Sequence, residues 1–225
     1  LPEIDSFDDL LPRYRRRLHE VIRDGVIDVN RAMLSRVTGG GFPLLSAFVN
    51  DCLARGRDID QGGARCNWIE SSFVGLANLI DALAAIRQCV FAEGALTLSR
   101  LREALLADFQ GYEEVRALLA RAPKYGNDDD RVDALAAEIT GALLAECEAY
   151  RSALGGAVVP GFFCWIIHEH YGRLTGASAD GRPAGFPFAD GSGPAQGRER
   201  LGPTAAVRSA TKWDHAPMLG GIAVN

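Results

Sequence analysis

Apolar residues recur every three or four positions along most of the first 150 residues, which is the spacing of amphipathic helices. Ser6 can cap a first helix, whose apolar positions continue to Leu18. A short apolar helix is expected at 44–53, between two glycine-rich breaks. The stretch from Ser71 to Phe91 is apolar almost all round, so it predicts a helix buried on most sides, and hence a large parent fold.

Two further helical stretches follow. One spans 97–122 and stops at Pro123, because proline cannot continue a helix. The other is capped by Asn127 or Asp128 and runs to about Tyr150. The aspartates of this cap could suggest a calcium site, but the spacing and glycine of an EF-hand loop are missing, so helix capping is the better interpretation.

The pattern changes after residue 155. Val158 and Val159, followed by Phe162 to Ile167, are β-branched or aromatic and predict a strand. Residues 172–202 form a long glycine-rich loop, and 220–225 begin what we interpret as another strand. The fold class is therefore α/β and helix-dominated. Residues 1–225 form one partial domain, in which 1–155 are mainly helical and 156–225 hold strands and the loop.

Composition narrows the class of protein. The chain has 225 residues, 48% of them hydrophobic and 24% charged, with a net charge of -5. Nucleic-acid and membrane-surface binders usually carry a basic face, so neither partner is expected. Five cysteines are scattered without CxxC pairs, which argues against a disulfide framework and a zinc knuckle. The N-terminal residues do not resemble a signal peptide, and we expect a reducing, cytoplasmic location.

Four stretches carry a family resemblance through their order and spacing, from about Leu44 to Asn225. They are Gly62–Asn67 with Val74–Asn78 and Asp81–Ile86; Pro123–Asp128; Gly176–Arg182; and Gly202–Ala205 with Ser209 and Lys212. Together they resemble the pyruvate formate-lyase-like, or glycyl radical, enzymes. Three positions depart from the family pattern: Cys66 replaces a tyrosine, Ala82 a serine and Ala179 a proline.

The resemblance implies a fold and a reaction class. The parent fold would be a ten-stranded β/α barrel of two antiparallel halves, and this chain its later part, with outer helices and two or three strands. The reaction would be radical cleavage or elimination on a small organic substrate in anaerobic metabolism. A separate S-adenosylmethionine-dependent activase would install the glycyl radical on a homodimeric enzyme that carries no bound cofactor.

The radical chemistry of this family needs a cysteine in a Gly-Cys-Val-Glu-like loop and a glycine in an Arg-Val-Ser/Ala-Gly motif. No cysteine here follows a glycine. The run Arg36–Gly40 mimics the glycine motif, but it lies upstream of the other matches, at the wrong end. We therefore expect an internal fragment whose radical cysteine and glycine lie outside it, which is inactive alone, and we assign no catalytic residue.

Two histidines are candidates for a site. His168 and His170 flank Glu169 on the predicted strand, so both would point to one side. Such a pair can bind zinc, but a third ligand is not evident, so no metal site is predicted. In the family this strand runs toward the substrate chamber, which makes His168, His170 and Trp165 candidate substrate-binding residues. Strand alternation puts Trp165 on the opposite face.

Two motifs also predict local architecture. Asn78 and Asp81 share a helix face and could satisfy buried backbone groups of a loop. Asp180 and Arg182 flank a glycine, which suits a tight turn locked by an ion pair or by an Asx hydrogen bond.

The reaction subtype stays open at this point. The histidines and Cys66 favour an eliminating lyase, such as a dehydratase, or an uncharacterised branch. Formate acetyltransferase is one alternative. A non-catalytic module that serves as scaffold or partner of a radical enzyme is another.

Overall fold

The computed structural model describes residues 4–224. Its first helix starts where the sequence predicts, because Ser6 and Asp9 form a reciprocal capping box: the Asp9 backbone N–H donates to Ser6 Oγ (3.3 Å) and the Ser6 N–H donates to Asp9 Oδ2 (2.9 Å). A 3-10 turn over Phe7–Asp9 leads into helix α1, Leu10–Val37.

The other elements follow in chain order. They are α2 (Pro43–Ser46), α3 (Cys52–Arg55), a second 3-10 turn (Ile59–Gln61), β1 (Ile69–Ser72), α4 (Leu76–Ile86) with a π-helical turn (Arg87–Ala92), α5 (Leu98–Leu106), α6 (Glu113–Arg121), α7 (Asp130–Glu148), β2 (Val158–Gly161), α8 (Ile167–Leu174) and α9 (Pro203–Ala210).

Helix α4 lies at the centre, as its apolar pattern predicts. Ala77, Ile80 and Ala85 on different sides of it are completely buried. One side packs against α7 within the main core, and the other meets α5 and α6 in a second cluster. The main core takes residues from both sides of position 155, where the sequence changes character. The division there stays a prediction.

Two strands form a parallel sheet, with Ile69 paired to Val158 and Ser72 paired to Gly161. The sequence predicts β2 in part but misses β1, whose Ser71 we expected to start the buried helix. The prediction failed because β1 is short and half polar, so alternation is too brief to detect.

The predicted strand over Phe162–Ile167 is wrong. Pairing with β1 ends at Gly161, and Phe162 adds a single bridge to Ile222. The chain then turns at Trp165, whose φ is +50°, and enters helix α8. His168 and His170 therefore lie on a helix, and two residues apart on a helix they point to nearly opposite sides.

Three smaller expectations also change. The helix at 44–53 is two short helices, α2 and α3. The stretch 97–122 is broken into α5 and α6, because Asp108 and Phe109 adopt left-handed backbone angles. The cap of α7 is Asp129, whose side chain accepts from the Arg131 N–H, rather than Asn127 or Asp128.

The glycine-rich loop, now 175–202, packs back onto α4 and α6. The strand expected at 220–225 is reduced to the bridge at Ile222, and Asn225 lies outside the described residues. Among residues 4–224, no helix combines the length and the hydropathy that crossing a membrane requires.

Candidate functional site

Asn78 on α4 holds the long loop in place. Its Nδ2 donates to Asp180 Oδ2 (2.7 Å), and its Oδ1 accepts from the Ala189 N–H (2.6 Å). All three residues are buried, so water cannot replace these bonds. The sequence-based expectation for Asn78 is confirmed, and the loop segment around residue 189 is fixed relative to the core.

The turn at Asp180 and Arg182 is locked by an Asx-type bond, from the Arg182 N–H to Asp180 Oδ1 (3.3 Å). Ser178 Oγ donates to the same oxygen (2.6 Å). The Arg182 guanidinium donates to the carbonyls of Gly176, Pro183 and Phe186, an arrangement that joins both ends of the turn. Of the two predicted locks, the Asx bond is therefore the one that forms here.

Asp81 plays a similar part for the loop before α7. Its Oδ1 accepts from the Tyr125 N–H (2.7 Å) in a completely buried environment. Burial raises the pKa of Asp81 to about 8, against the lowering effect of the Lys124 charge. Lys124 donates to the carbonyls of Leu119 (2.8 Å) and Ala122 (3.1 Å), and burial lowers its pKa.

A cavity of about 210 Å³ opens beside the Asp180 turn. Arg116, Arg182 and Arg198 contribute to its lining, together with Asn78 and Asp180. Arg182 is already committed to carbonyl groups, and Arg116 Nε donates to the Gly181 carbonyl (3.1 Å). Arg116 and Arg182 in this lining therefore hold the loop in place through bonds to its carbonyl groups.

A second group of chemically active side chains lies at the kink between β2 and α8. Cys164 is buried just before the kink, and its Sγ donates to Asp190 Oδ1 (3.1 Å). His168 Nδ1 lies 3.9 Å from the sulfur, 3.8 Å from the same Asp190 oxygen and 3.0 Å from the Trp165 carbonyl oxygen. A thiol, an imidazole and a carboxylate thus converge, and we call these three residues the Cys164 cluster.

The groups around the Cys164 sulfur have opposing effects on the pKa of its thiol. Burial raises the pKa of the thiol, while backbone N–H groups of Gly191 and His168 lower it. The Asp190 carboxylate raises it again. The thiol is therefore protonated and donates to Asp190, yet it sits among N–H groups that could stabilise a negative sulfur.

The three predicted site residues have different surroundings. His168 belongs to the Cys164 cluster and its side chain is 14% exposed. His170 lies on the exposed side of α8, next to Tyr171. Trp165 is 73% exposed and its ring contacts Phe163 edge to face, with centroids 5.3 Å apart.

Sequence reasoning missed two members of the cluster. Cys164 lies only four residues before His168, but the two meet through the left-handed turn at Trp165, which precedes α8 and which the strand prediction excluded. Asp190 gives no local signal, because a loop brings it in from another part of the chain. His168 and His170 do not share one face, as the strand prediction implied; His168 lies beside Cys164 and Asp190 instead.

Comparison with known proteins identifies the family. Residues 1–172 match the family model described as pyruvate formate lyase-like. The chain belongs to this family. The resemblance carried by the motifs is confirmed, and with it the helix-rich α/β fold.

Relatives match the pyruvate formate lyase-like chain along nearly its whole length. YbiW, a probable dehydratase of Escherichia coli, is 41% identical to this chain; the match covers 99% of this chain and 28% of the length of YbiW. The glycerol-bound B12-independent glycerol dehydratase of Clostridium butyricum has a TM-score of 0.94 and 37% identity, over 98% of this chain. Hydroxyproline dehydratase of Clostridioides difficile has a TM-score of 0.95 and 32% identity, over 99%. The chain spans 28% of each of these proteins.

Proposed function

We propose that the chain is part of a glycyl radical enzyme that eliminates water or another leaving group from a small organic substrate. The observation that carries this proposal is the match to three dehydratases over at least 98% of the chain, with identities from 32% to 41%. A shared dehydratase chemistry in such relatives favours an eliminating lyase over a formate acetyltransferase.

The radical itself would come from elsewhere, as the family resemblance implies. A separate S-adenosylmethionine-dependent activase would generate a glycyl radical, and a cysteine outside the matched motifs would pass it to the substrate. In this proposal the present residues shape the substrate chamber and exclude water, which a radical intermediate requires.

The kink between β2 and α8 is the part we propose as chamber wall. Trp165 and Ile166 expose large apolar side chains next to each other, which marks a surface that contacts another molecule or another part of the protein. Trp165 and His170, two of the residues predicted from the sequence, stay our candidates for direct substrate contact, since both are exposed near this kink. His168, turned inward, would act on the chamber through Cys164 and Asp190.

The test is expression of the whole reading frame that encodes these residues, under anaerobic conditions and with an activase. We expect an electron paramagnetic resonance signal of a glycyl radical, and loss of water from vicinal diols or from trans-4-hydroxyproline. Transfer of an acetyl group from pyruvate to coenzyme A without any elimination would support the acetyltransferase alternative. No radical under conditions that activate a known dehydratase would support the non-catalytic alternative.

Variants test the proposed wall in the same system. Replacing Trp165 or His170 by alanine should raise KM or lower kcat by about tenfold, which corresponds to about 1.4 kcal/mol, without changing the yield of the radical. Leu174→Ala is the control, since Leu174 is comparably exposed at the far end of α8. Unchanged kinetics in both test variants would remove these residues from the chamber.

A further inference from the structure

We propose that Cys164, His168 and Asp190 form a binding site for a transition-metal ion with the ligand preferences of Zn²⁺. The proposal concerns these residues alone and does not depend on the radical function. It starts from the convergence of three ligating atoms, all within 4.8 Å of one another, from two distant stretches of the chain.

The separations between the ligating atoms fit one ion. Zinc binds sulfur at about 2.3 Å, imidazole nitrogen at about 2.0–2.1 Å and carboxylate oxygen at about 2.0–2.2 Å, so a tetrahedral site places its ligands roughly 3.4 to 3.6 Å apart. Here the sulfur–nitrogen, nitrogen–oxygen and sulfur–oxygen separations are 3.9, 3.8 and 3.1 Å. Shifts of about half an ångström or less would give each pair its tetrahedral value.

Metal binding would change the charge of the Cys164 sulfur. Metal binding requires the thiolate, so the proton that Cys164 now donates to Asp190 would leave to solvent. The backbone N–H groups of Gly191 and His168, which lower the pKa of the thiol, would then favour the thiolate, as outer hydrogen bonds do in metal sites. His168 would present the Nδ1 lone pair to the metal with its proton on Nε2, and would give up the bond to the Trp165 carbonyl.

The ligands are held by two separate stretches of the chain, one that carries Asp190 and one that carries Cys164 and His168. Asp190 is held by hydrogen bonds of its neighbours in the chain. The Ala189 N–H donates to Asn78 Oδ1 (2.6 Å), and the Ser192 N–H donates to the Ala223 carbonyl (2.8 Å). Cys164 lies three residues after β2, and its carbonyl accepts from the Ile167 N–H (2.8 Å). The left-handed backbone at Trp165 then brings His168 back over the sulfur, at a cost of about 1–2 kcal/mol for a residue other than glycine.

The choice of metal follows from the donor set. A thiolate with an imidazole and a carboxylate suits zinc and its neighbours, whereas Mg²⁺ and Ca²⁺ prefer oxygen ligands alone. Three protein ligands leave a fourth position for water or another ligand. The side chains of His168 and Asp190 are 14% and 28% exposed, so this position opens toward the surface and gives the ion a route in.

The experiment uses the purified chain in a Cys66→Ser background, because Cys66 is the exposed thiol of the described residues and could bind metal adventitiously. After removal of metals by a chelator, Co²⁺ is added as a spectroscopic probe and then displaced by Zn²⁺. We expect one equivalent of Co²⁺, a cysteine-to-cobalt charge-transfer band and the absorption of a tetrahedral ion. Absence of the charge-transfer band in this folded protein would refute the site.

Matched variants identify the ligands. Cys164→Ser should abolish the charge-transfer band, and His168→Ala and Asp190→Asn should each weaken Zn²⁺ binding at least tenfold in competition with a chromophoric chelator. His170→Ala is the control, as an exposed histidine on the same helix, and should bind Zn²⁺ as the background protein does. Circular dichroism confirms folding of each variant. Binding that is lost equally in His170→Ala, or retained in Cys164→Ser, would overturn the assignment.

Discussion

Asn78 and Asp81 stand one helical turn apart on α4 and each accepts a backbone N–H from a different loop. Both are buried, and a buried N–H that loses its acceptor costs more than the bond itself contributes, because water cannot reach it. Single polar side chains thus determine where the loops at Tyr125 and Ala189 settle. The Asp190 carboxylate is placed by the second of these contacts.

We predict that Asn78→Ala lowers the free energy of unfolding by about 2–4 kcal/mol, since it leaves the Ala189 N–H and an oxygen of Asp180 without a partner in the core. Urea denaturation measures this. Asn30→Ala is a close control: Asn30 also bridges two backbone groups, the Arg151 carbonyl (3.1 Å) and the Ala153 N–H (2.6 Å), but near the surface. Asn30→Ala should lower the free energy of unfolding by about 1 kcal/mol or less. Equal losses in both variants would contradict the role of burial.

The sequence allowed these anchors to be predicted, because residues three apart on a buried helix must share a face. It did not allow their partners to be predicted. Asp180 and Ala189 are more than a hundred positions from Asn78 and meet it only through tertiary packing. Asp190 was missed for the same reason.

At the scale of elements, the kink before α8 separates the correct part of the strand prediction from the wrong part. After Pro160 and Gly161, aromatic and β-branched residues resume and dominate Phe162 to Ile167, so local propensity there favours a strand. The strand ends because its partner β1 ends at Ser72, a fact that lies outside the local sequence. Helix 71–91, by contrast, was predictable in type because its pattern is long, although α4 starts five residues later than expected.

The backbone at Trp165 gives a prediction at this scale. Its φ of +50° is tolerated by asparagine but poorly by a β-branched residue. Trp165→Asn should therefore keep the stability of the parent within about 0.5 kcal/mol, since the tryptophan ring is mostly exposed. Trp165→Val should be about 1–2 kcal/mol less stable than the asparagine variant. Thermal or urea denaturation of the two variants compares them at the same position, and equal stabilities would mean that the left-handed turn is absent.

At the scale of the whole molecule, the accessibility of the cysteine thiols measures how well the core excludes solvent and reagents. Cys52, Cys89, Cys147 and Cys164 are buried and Cys66 is exposed, and all five are free thiols. Burial raises the pKa of Cys89, of Cys147 to about 12, and of Cys164, so little reactive thiolate forms at neutral pH.

We predict one fast-reacting thiol in the native protein and five in denaturant, measured with a chromogenic disulfide reagent. Cys66→Ser should remove the fast reaction and leave four thiols in denaturant. A count below five for the parent in denaturant, with the mass loss of a disulfide, would contradict the reducing environment expected from the sequence. Several fast thiols in the native state would mean that the core opens readily.

The parallel pairing of β1 with β2 has a consequence for how the protein reaches its structure. Helices α4 to α7 lie between the two strands in the chain, so β1 has no partner until all four have been synthesised. Contacts between residues distant in sequence form late and slow the search for the native state. During translation the backbone N–H and C=O groups of β1 therefore stay unpaired with β2 while the helices between the two strands are being synthesised. Any factor that shields nascent strand edges would raise the yield of folded protein by acting in that interval.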